Sequence, residues 1–169
     1  MDDGHLFMKA ASRIIARSKL PLLIRRLRRE RRRIVFTNGV FDILHRGHVD
    51  YLTSARSFGD ILIVGLNSDA SVRRIKGPDR PIQNQRDRAI ILASLRPVDY
   101  VVIFGEETPE KVITTIRPDV LVKGADWAIG DIVGATFVQS YGGKVRRVRM
   151  RKGRSSTSLI QSLRSRSVD

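Results

Sequence analysis

Two histidines three residues apart, His45 and His48, are the side chains in this sequence best suited to phosphate chemistry. Residues three apart on a helix share a face, and Gly47 between them removes the side chain that would keep a ligand from the backbone. Imidazole N–H groups directed at a phosphate chain can stabilise the charge that develops during phosphoryl or nucleotidyl transfer. Only three histidines occur in the chain, so this clustering favours a functional pair over a capping or surface role.

Other chemistries fit the sequence less well. Two histidines could bind zinc, but the chain has no Cys and no third ligand at a usual spacing, so no protein-held metal cluster is predicted. No Ser lies in a Gly-x-Ser-x-Gly elbow, and without Cys the sequence offers no convincing covalent nucleophile. The residues therefore favour direct in-line attack at phosphorus, with catalysis by positioning and charge stabilisation.

The residues around the histidines predict the elements that position them. An apolar run at 34–36 precedes a glycine turn at Gly39, and an amphipathic run at 49–58 follows the histidines. This order indicates a strand, a tight turn and a helix entered at its N-terminus. The free backbone N–H groups and the positive dipole end of such a helix form a natural phosphate site.

The rest of the chain repeats the alternation of strand and helix. Strands are predicted at 34–36, 61–66, 100–104, 120–122 and 144–150, the last at a sheet edge because it is rich in arginine. Helices are predicted at 20–33, 49–58, 86–95, after a Thr108 cap, at 132–141 and at 159–164, with a polar loop at 67–81. This pattern indicates an α/β fold, a doubly wound, Rossmann-like parallel sheet of about five strands, with ligands beyond the strand carboxyl ends.

Four sequence blocks carry a resemblance to a known family. The block from Thr37 to His48, Thr-Asn-Gly-Val-Phe-Asp-Ile-Leu-His-Arg-Gly-His, resembles the signature of the nucleotidyltransferase superfamily that carries a His-x-Gly-His motif. The other blocks follow in order at 66–77, 118–127 and 153–157, and the resemblance extends from residue 34 to residue 163. Within the superfamily, the sequence is similar to the adenylyltransferases that convert heptose 1-phosphate to ADP-heptose.

The resemblance implies a reaction, a cofactor and partners. ATP, with Mg²⁺ bound to it, would donate AMP to a heptose 1-phosphate, giving pyrophosphate and ADP-heptose, a precursor of the lipopolysaccharide inner core. Such enzymes are often fused to a sugar kinase for which 169 residues have no room, so a separate kinase is expected. Many of them are dimers, which makes a homodimer one expected assembly. A sister cytidylyltransferase acting on glycerol 3-phosphate is the nearest alternative.

The resemblance also implies which residues bind the nucleotide. His45 and His48 would contact the triphosphate and stabilise the five-coordinate transition state, and Lys76, in the loop at 67–81, would clamp the reacting groups. The nucleotide-binding residues that the resemblance implies are Thr37, Asn38, Gly39, Val40, Phe41, Lys123, Gly124, Asp126, Trp127, Ser155, Ser156 and Thr157.

Three residues are candidates for binding the acceptor substrate. Asp42 could contact a substrate hydroxyl or cap the following helix, and the sequence leaves both open. Arg88 and Arg96 are eight apart on one predicted helix and hence on one side of it. They either bind the acceptor phosphate, as arginines do in relatives, or lie on the surface.

Charge is concentrated at the two ends of the chain. The formal net charge is +15, of which residues 1–33 contribute +8, residues 144–169 another +8 and the intervening residues −1. A core that binds a nucleic-acid backbone is expected to carry basic excess itself. Nucleic acid is therefore not an expected partner, although a nucleic-acid-binding module built on this scaffold is the alternative from another functional class.

The charge distribution divides the chain into a basic N-terminal arm or helix, 1–33, and a nucleotidyltransferase domain, 34–169. Seven of the nine residues at 25–33 are Arg, which is typical of a solvated helix face. The arm is expected to be dispensable, so deleting residues 1–18 should leave turnover within a few-fold. No apolar run is long enough to span a membrane, and the absence of Cys is compatible with the cytoplasm.

Overall fold

A computed structural model describes residues 9–149 of the chain. Five strands form one parallel sheet in the order β3-β2-β1-β4-β5. The strands are β1 Ile34–Gly39, β2 Ile61–Asn67, β3 Tyr100–Phe104, β4 Val120–Gly124 and β5 Lys144–Val148. The predicted α/β class with a parallel Rossmann-like sheet is confirmed, and β5 lies at the edge, as its arginine content predicted.

Six helices connect or flank the strands within the described residues, and residues 9–11 are also helical. The six helices are α1 Leu20–Arg29, α2 Arg46–Arg56, α3 Asp69–Lys76, α4 Gln85–Ser94, α5 Glu110–Ile116 and α6 Ala135–Ser140. Short 3₁₀ turns lie at Arg17–Lys19 and Ile129–Asp131. The helix predicted at 159–164 and the last residue of the strand predicted at 144–150 lie outside the described residues.

Helices cover both faces of the sheet, so its inner strands are nearly continuous hydrophobic runs, whereas the edge strand β5 is partly exposed. On one face, α2 and α4 pack against strand residues that include Val35, Leu62 and Val101. On the other face, α1, α5 and α6 pack against residues that include Phe36 and Val102. The result is a three-layer arrangement in which the histidine-bearing α2 and the arginine-rich α1 lie on opposite sides.

The loop predicted at 67–81 is wrong, because α3 occupies its first half. Ser68 is the N-cap, and its side-chain oxygen accepts a hydrogen bond from Ser71 N. Such a cap satisfies one of the backbone donors that a helix start leaves open. Gly77 follows α3 in the left-handed region at φ 96°, a conformation that glycine adopts without strain. Lys76 is thus the last residue of a helix rather than part of a mobile loop.

Several further boundaries differ from the predictions. The helix predicted at 20–33 ends at Arg29, and the helix predicted at 49–58 is α2, Arg46–Arg56. Helix α4 ends at Ser94, so Arg88 and Arg96 do not share a helix. Pro109 is the N-cap of α5 and makes no side-chain cap bond, so the Thr108 cap is wrong by one position. Helix α6 begins at Ala135 rather than at residue 132, after Gly134 in a left-handed conformation.

The basic segment before β1 takes part in the core. Helix α1 starts with Pro in its first turn, where the missing N–H costs nothing. Its inner side is buried against the sheet through Leu20, Leu23, Ile24 and Leu27. Before it, Ile14 forms a parallel bridge to Val101 of β3. Within residues 9–149, no helix is long and apolar enough to cross a membrane.

Candidate active site

The sheet places the signature residues at its topological switch point. The chain runs from β1 to β2 on one side and places β4 on the other side of β1. At such a point the loops that follow the two neighbouring strands diverge and leave a crevice where ligands bind in α/β proteins. The loop after β1 and the first turn of α2 carry the segment up to His48, and the loop after β4 carries Asp126 and Trp127.

A cavity of about 150 Å³ occupies this crevice. Nine of the residues implied by the resemblance, together with Tyr51, form its lining. They are Asn38, Gly39, Val40, Phe41, His48, Lys123, Gly124, Asp126 and Trp127. Two buried polar atoms of this lining, Asn38 Oδ1 and His48 Nδ1, have no hydrogen-bond partner among the described residues. Buried polar groups are nearly always paired in native proteins, so these two atoms are available to a ligand.

The two histidine rings lie stacked against each other. Their centroids are 3.9 Å apart with an interplanar angle of 29°, and Phe41 packs edge-on against His48 at 5.3 Å. Burial, with a smaller contribution from the neighbouring His45, lowers the pKa of His48 to about 4. His48 is therefore neutral at physiological pH, with one ring nitrogen a donor and the other an acceptor.

The backbone around the histidines is shaped to bring them together. His45 is the N-cap of α2 with extended backbone angles, and its side chain makes no cap bond. A Cβ on Gly47 would lie 3.0 Å from both Cε1 and Nδ1 of His45. Any other residue at position 47 would therefore force that ring to shift. Phe41 has a positive φ of 45°, which is uncommon for a bulky residue and typical of functional loops.

Lys123 faces the histidine side across the cavity from β4. Burial lowers its pKa to about 8, and the charge of Asp126 opposes that shift. Its Nζ lies 6.0 Å from the centroid of the Trp127 ring, at the outer limit of a cation–π contact. Trp127 itself is 50% exposed, so this ring offers a free aromatic face at the rim of the cavity.

Thr37 lies behind the cavity and is fixed by a residue that sequence reasoning missed. Its hydroxyl lies 2.7 Å from the hydroxyl of Tyr51, which donates to Val122 O at 3.2 Å. Burial raises the pKa of Tyr51 to about 12, so the phenol stays protonated. Tyr51 follows His48 by three residues on α2, and this spacing could have identified it as a residue of the same face.

Asp42 holds two parts of the chain together. It is almost fully buried, and its carboxylate accepts from Arg80 Nε at 2.8 Å, Ile82 N at 2.9 Å and Gln83 N at 3.0 Å. It caps neither end of α2. In this structure the carboxylate joins the signature loop to the segment between α3 and α4, and Arg80 is a second residue that the sequence did not single out.

Arg88 is buried and engaged on all sides of its guanidinium. It donates to Asp69 Oδ1 at 2.6 Å, to Val40 O at 2.6 Å and to Gln83 O at 2.9 Å, and its side chain is 0% exposed. It is therefore not a surface arginine. Its bond to Val40 connects α4 directly to the signature loop.

The structure separates the remaining candidates from the cavity. Lys76 is exposed at the end of α3 and is not part of the cavity lining. Arg96 is exposed on the connection from α4 into the amino end of β3, whereas the signature follows the carboxyl end of β1. Ser155, Ser156 and Thr157 lie outside the described residues.

Residues 9–149 contain no group of three or more His, Asp or Glu side chains arranged to hold a metal ion. Of the carboxylates near the signature, Asp42 is occupied by its donors, and Asp126 is exposed in the cavity lining. A Mg²⁺ ion needs only one or two protein carboxylates when it is bound through substrate phosphates. The residues present therefore fit an ion that arrives with a nucleotide.

Comparisons with known proteins identify relatives of this chain. The family model described as cytidylyltransferase-like matches residues 36–162. The chain is 48% identical over 163 residues to the bifunctional protein HldE of Syntrophotalea carbinolica, covering 96% of this chain and 33% of the relative. It is 56% identical over 132 residues to the HldE of Geobacter sulfurreducens, covering 78% of this chain and 27% of the relative. The chain thus spans about a third of the length of the curated relatives it matches.

A solved structure supports the same assignment. The lipopolysaccharide core biosynthesis protein from Thermoplasma volcanium is 30% identical, with a TM-score of 0.58. The match covers 73% of this chain and 99% of that protein. Three findings agree on one classification: a family model over most of the chain, relatives of about 50% identity and a matching fold.

Proposed function

The chain belongs to the cytidylyltransferase-like family, and from that premise we propose that it is an adenylyltransferase acting on a heptose 1-phosphate. It transfers AMP from ATP to the sugar phosphate and releases ADP-heptose and pyrophosphate. The similarity to HldE proteins and to a protein named for lipopolysaccharide core biosynthesis supports the sugar-nucleotide product. The whole-protein activity of the longer relatives is not part of this proposal.

One observation carries the proposal. His48, whose ring stacks on His45, lines one cavity at the switch point together with the glycine turn after β1 and the lysine and tryptophan after β4. This arrangement offers imidazole donors and backbone for phosphates and an aromatic face for a base. Stacking on an exposed aromatic ring is a common way to hold a nucleobase, and we assign that role to Trp127.

The bond changes follow from an in-line displacement. An oxygen of the sugar phosphate attacks the α-phosphorus of ATP, the bond to the bridging oxygen of pyrophosphate breaks, and pyrophosphate leaves with the electron pair. No covalent intermediate with the protein is needed, so catalysis depends on positioning and on stabilising the charge that develops. His45 and His48 supply that stabilisation, and Asn38 to Phe41 supply backbone at the phosphates.

The neutral ring of His48 can take up a proton as negative charge develops beside it during the reaction. In the free protein, burial and His45 keep its pKa at about 4. A triphosphate beside the ring adds negative charge, which favours the protonated form and raises that pKa. Binding of ATP should therefore increase the proton affinity of His48, and the transition state, with more charge on its oxygens, should increase it further.

Magnesium enters the proposal with the nucleotide. When bound, it neutralises charge on the triphosphate and helps the departure of pyrophosphate. Asp126 is the residue we assign to its vicinity, since it lines the cavity and is exposed. Excess chelator should abolish turnover, and restored Mg²⁺ should recover it.

The family resemblance supports a role in phosphate binding for four further residues, Lys76, Ser155, Ser156 and Thr157. We propose that Lys76 reaches the phosphates when substrate is bound and that the three hydroxyl residues bind phosphate. We also propose that a kinase supplies the sugar 1-phosphate, that the enzyme acts as a homodimer and that it works in the cytoplasm, where ATP is available. Analytical ultracentrifugation tests the dimer.

Substrate choice tests the function directly. Pyrophosphate release is measured with each nucleoside triphosphate against a panel of sugar and polyol phosphates, including heptose 1-phosphate and glycerol 3-phosphate. We expect turnover with ATP and heptose 1-phosphate, and mass spectrometry should identify ADP-heptose. Preferential turnover of CTP with glycerol 3-phosphate would reassign the substrate, and the absence of turnover with every pair would remove the enzyme assignment.

A further inference from the structure

The outer side of α1 presents an exposed leucine among arginines. The buried leucines described above define the inner side of this helix, and the positions i, i+3, i+4 and i+7 from residue 22 lie on the opposite side. These positions are Leu22, Arg25, Arg26 and Arg29, and all four are exposed. We call them the α1 stripe. Leu22 is 63% exposed, the highest exposure among the large hydrophobic residues in the described part of the chain.

The charge around the stripe has one sign. Residues 9–33 contain eleven Lys or Arg and a single acidic residue, Glu30. Glu30 lies 3.9 Å from Arg26 and 3.8 Å from Arg32, in contacts that are open to solvent. Within residues 9–149, the side chains of Lys19, Arg25 and Arg29 have no ion pair or hydrogen bond. Their charges are available to a partner.

A cavity of about 790 Å³ opens beside the stripe, much larger than the one at the histidines. Its basic lining residues are Lys9, Arg13, Lys19, Arg26 and Arg29, and its apolar ones are Ile15, Leu22 and Leu23. Asp99 also lines it, but the carboxylate accepts from Leu62 N at 2.8 Å and pairs with Arg56 at 2.9 Å. The cavity thus joins an apolar floor to a cationic rim.

The stripe and the candidate active site face different ways. Helix α1 packs on the opposite face of the sheet from α2, which carries the histidines. Arg26 donates to the Tyr100 hydroxyl at 2.9 Å, at the amino end of the edge strand β3. The histidines follow the carboxyl end of β1, two strands away. A large body bound at α1 therefore leaves the active-site cavity open to substrates.

We propose that the α1 stripe and its cavity dock the protein onto an anionic phospholipid surface. The arginines lie at the headgroup phosphates, and Leu22 inserts at the boundary between headgroups and acyl chains, with α1 parallel to the membrane plane. Binding at a membrane interface increases with the apolar area that is inserted and with the attraction of basic residues to anionic lipids, and the stripe supplies both. The proposal is independent of the transferase activity, since it involves none of the residues that line the histidine cavity.

Lipid fits the stripe better than nucleic acid does. Both are rows of phosphates, and both gain from neutralisation by arginine. A nucleic-acid backbone, however, gives no apolar partner to Leu22 or to the floor of the cavity. The stripe has no aromatic ring on which a base could stack, and Tyr100 in the cavity lining is partly buried, with its hydroxyl bonded to Arg26. A bilayer satisfies both parts of the surface. Leu22 is therefore the residue that distinguishes the two partners.

Vesicle binding of the full chain tests the proposal. The protein is mixed with vesicles of phosphatidylcholine alone or with about one third phosphatidylglycerol, and the bound fraction is measured by flotation at low and at physiological salt. The stripe variant is Lys19→Glu/Arg25→Glu/Arg29→Glu. Its matched control, Arg86→Glu/Lys111→Glu/Arg146→Glu, makes the same charge change at exposed positions elsewhere. A third variant, Leu22→Ser, leaves the charge unaltered.

The expected result is selective loss. Each basic residue near an anionic surface contributes roughly fivefold to partitioning, so the stripe variant should bind at least about 100-fold more weakly. The control variant should bind within a few-fold of the wild type, Leu22→Ser should lose several-fold, and neutral vesicles should bind none of the proteins. Turnover in vesicle-free solution should be the same for all three variants.

Three outcomes would overturn the proposal. Equal losses in the two triple variants would show that net charge, and not this surface, drives association. Unchanged binding of Leu22→Ser would remove the lipid assignment, and that variant stays informative even if the charge reversals perturb folding, because Leu22 is outside the core. Full release of the wild type from vesicles by a DNA duplex at equal phosphate concentration would favour nucleic acid.

Discussion

The candidate active site and the outer side of α1 use charge in opposite ways. At the active site, Asp42 and Arg88 are buried and each is held by several partners, and Asp126 is the exposed charged residue of the cavity lining. The four arginines of α1 are exposed, and two of them, Arg25 and Arg29, have no ion pair or side-chain hydrogen bond within residues 9–149. The comparison shows that the net charge of +15 says little about the site. Its electrostatics come from desolvation, which lowers the pKa of His48 to about 4 and that of Lys123 to about 8.

The largest expected effect is on turnover in His48→Ala. Removing one donor to charge that develops in the transition state typically costs about 10²–10³ in rate, roughly 2.7–4 kcal/mol. We expect kcat to fall by that factor while the KM for ATP changes little, as measured by steady-state kinetics. Thr53→Ala, at an exposed position of the same helix, is the control and should keep normal kcat.

The pH dependence of the stability of His48→Ala gives a second test of this partly buried histidine. Folding lowers the pKa of His48 from 6.5 to about 4. Between these pH values the unfolded chain binds a proton that the folded chain does not. Wild-type stability therefore falls as the pH falls through that range. Urea melts across this range should show a shallower loss of stability in the variant. A normal kcat in a folded His48→Ala protein would mean that the histidine pair is structural here.

The second effect separates Arg88 from Arg96, which the sequence grouped together. Arg88→Ala leaves Asp69 and the Val40 carbonyl without their buried partner, and breaking a buried pair costs about 3–5 kcal/mol. We expect a large fall in Tm by calorimetry. In the protein that stays folded, kcat/KM should fall between about ten- and a hundredfold, because the signature loop loses its position.

Arg96→Ala is the control, since Arg96 is exposed and beyond the end of α4. It should change neither Tm nor kinetics. If Arg88→Ala instead raised only the KM for the sugar phosphate at an unaltered Tm, Arg88 would be a substrate ligand and not a positioning residue.

Gly47→Ala should have the third largest effect and should affect activity and stability differently. Alanine is a better helix former than glycine by about 1 kcal/mol, so the melting temperature should hold or rise slightly. The new Cβ lies 3.0 Å from the His45 ring, which must move. We expect kcat to fall about tenfold, since small displacements of catalytic groups are costly. A wild-type rate would show that the stacked geometry of the histidines is not needed.

Lys123→Met should make the protein more stable but should weaken nucleotide binding. The pKa of Lys123 is about 8 in the folded protein against 10.5 for the free side chain, so keeping it charged at neutral pH costs stability. That cost is largest below pH 8 and disappears as the pH rises to 10.5. The variant should therefore be about 2–3 kcal/mol more stable at pH 7, with little difference above pH 10.5.

The kinetic readout of Lys123→Met is the KM for ATP, which we expect to rise several-fold as a positive charge leaves the cavity. In the wild type the same loss should develop as the pH rises through 8. Lys144→Met, at an exposed position on the neighbouring strand, is the control. A destabilised variant would contradict the burial cost.

The sequence predicted the sheet and the cavity well because both leave local signals. A parallel strand buried on both faces must be an apolar run, and β2 is one from Ile61 to Leu66. The His-x-Gly-His unit after a strand fixes its own place at the carboxyl end of β1. Lys123 to Trp127 follow β4 in the same way, so the topology alone brings the two loops together.

What the sequence did not predict depends on contacts between distant segments. Helix α3 is charged and has few buried residues, so its pattern resembled a loop, although Ser68 and Asp69 were a usable start signal. The burial of Arg88 could not be foreseen, because its acceptors come from residues 40, 69 and 83, which only the fold brings together. Lys76 lies at the end of a helix and not in the loop that the sequence predicted.

The smallest effect on turnover is expected from deleting residues 1–18. The described contacts of this segment lie mainly along the edge strand β3. Arg13 donates to Ala93 O and Val98 O, and Ile15 N donates to Val101 O at 2.8 Å. None of these groups lines the histidine cavity. Steady-state kcat and KM should therefore stay within a few-fold of the full chain.

Stability should respond where turnover does not. The deletion removes several hydrogen bonds at the sheet edge and the apolar contacts of Ala10, Ile14 and Ile15 with the core, so the net cost should be at least about 2 kcal/mol. For a chain of this size that corresponds to a fall of roughly 4–8 °C in Tm. Arg13→Ala in the full chain should reproduce part of this fall with unaltered kinetics. Loss of turnover in a truncated protein that still melts cooperatively would show that the basic segment contributes to the active site, and the separation between the two regions would fail.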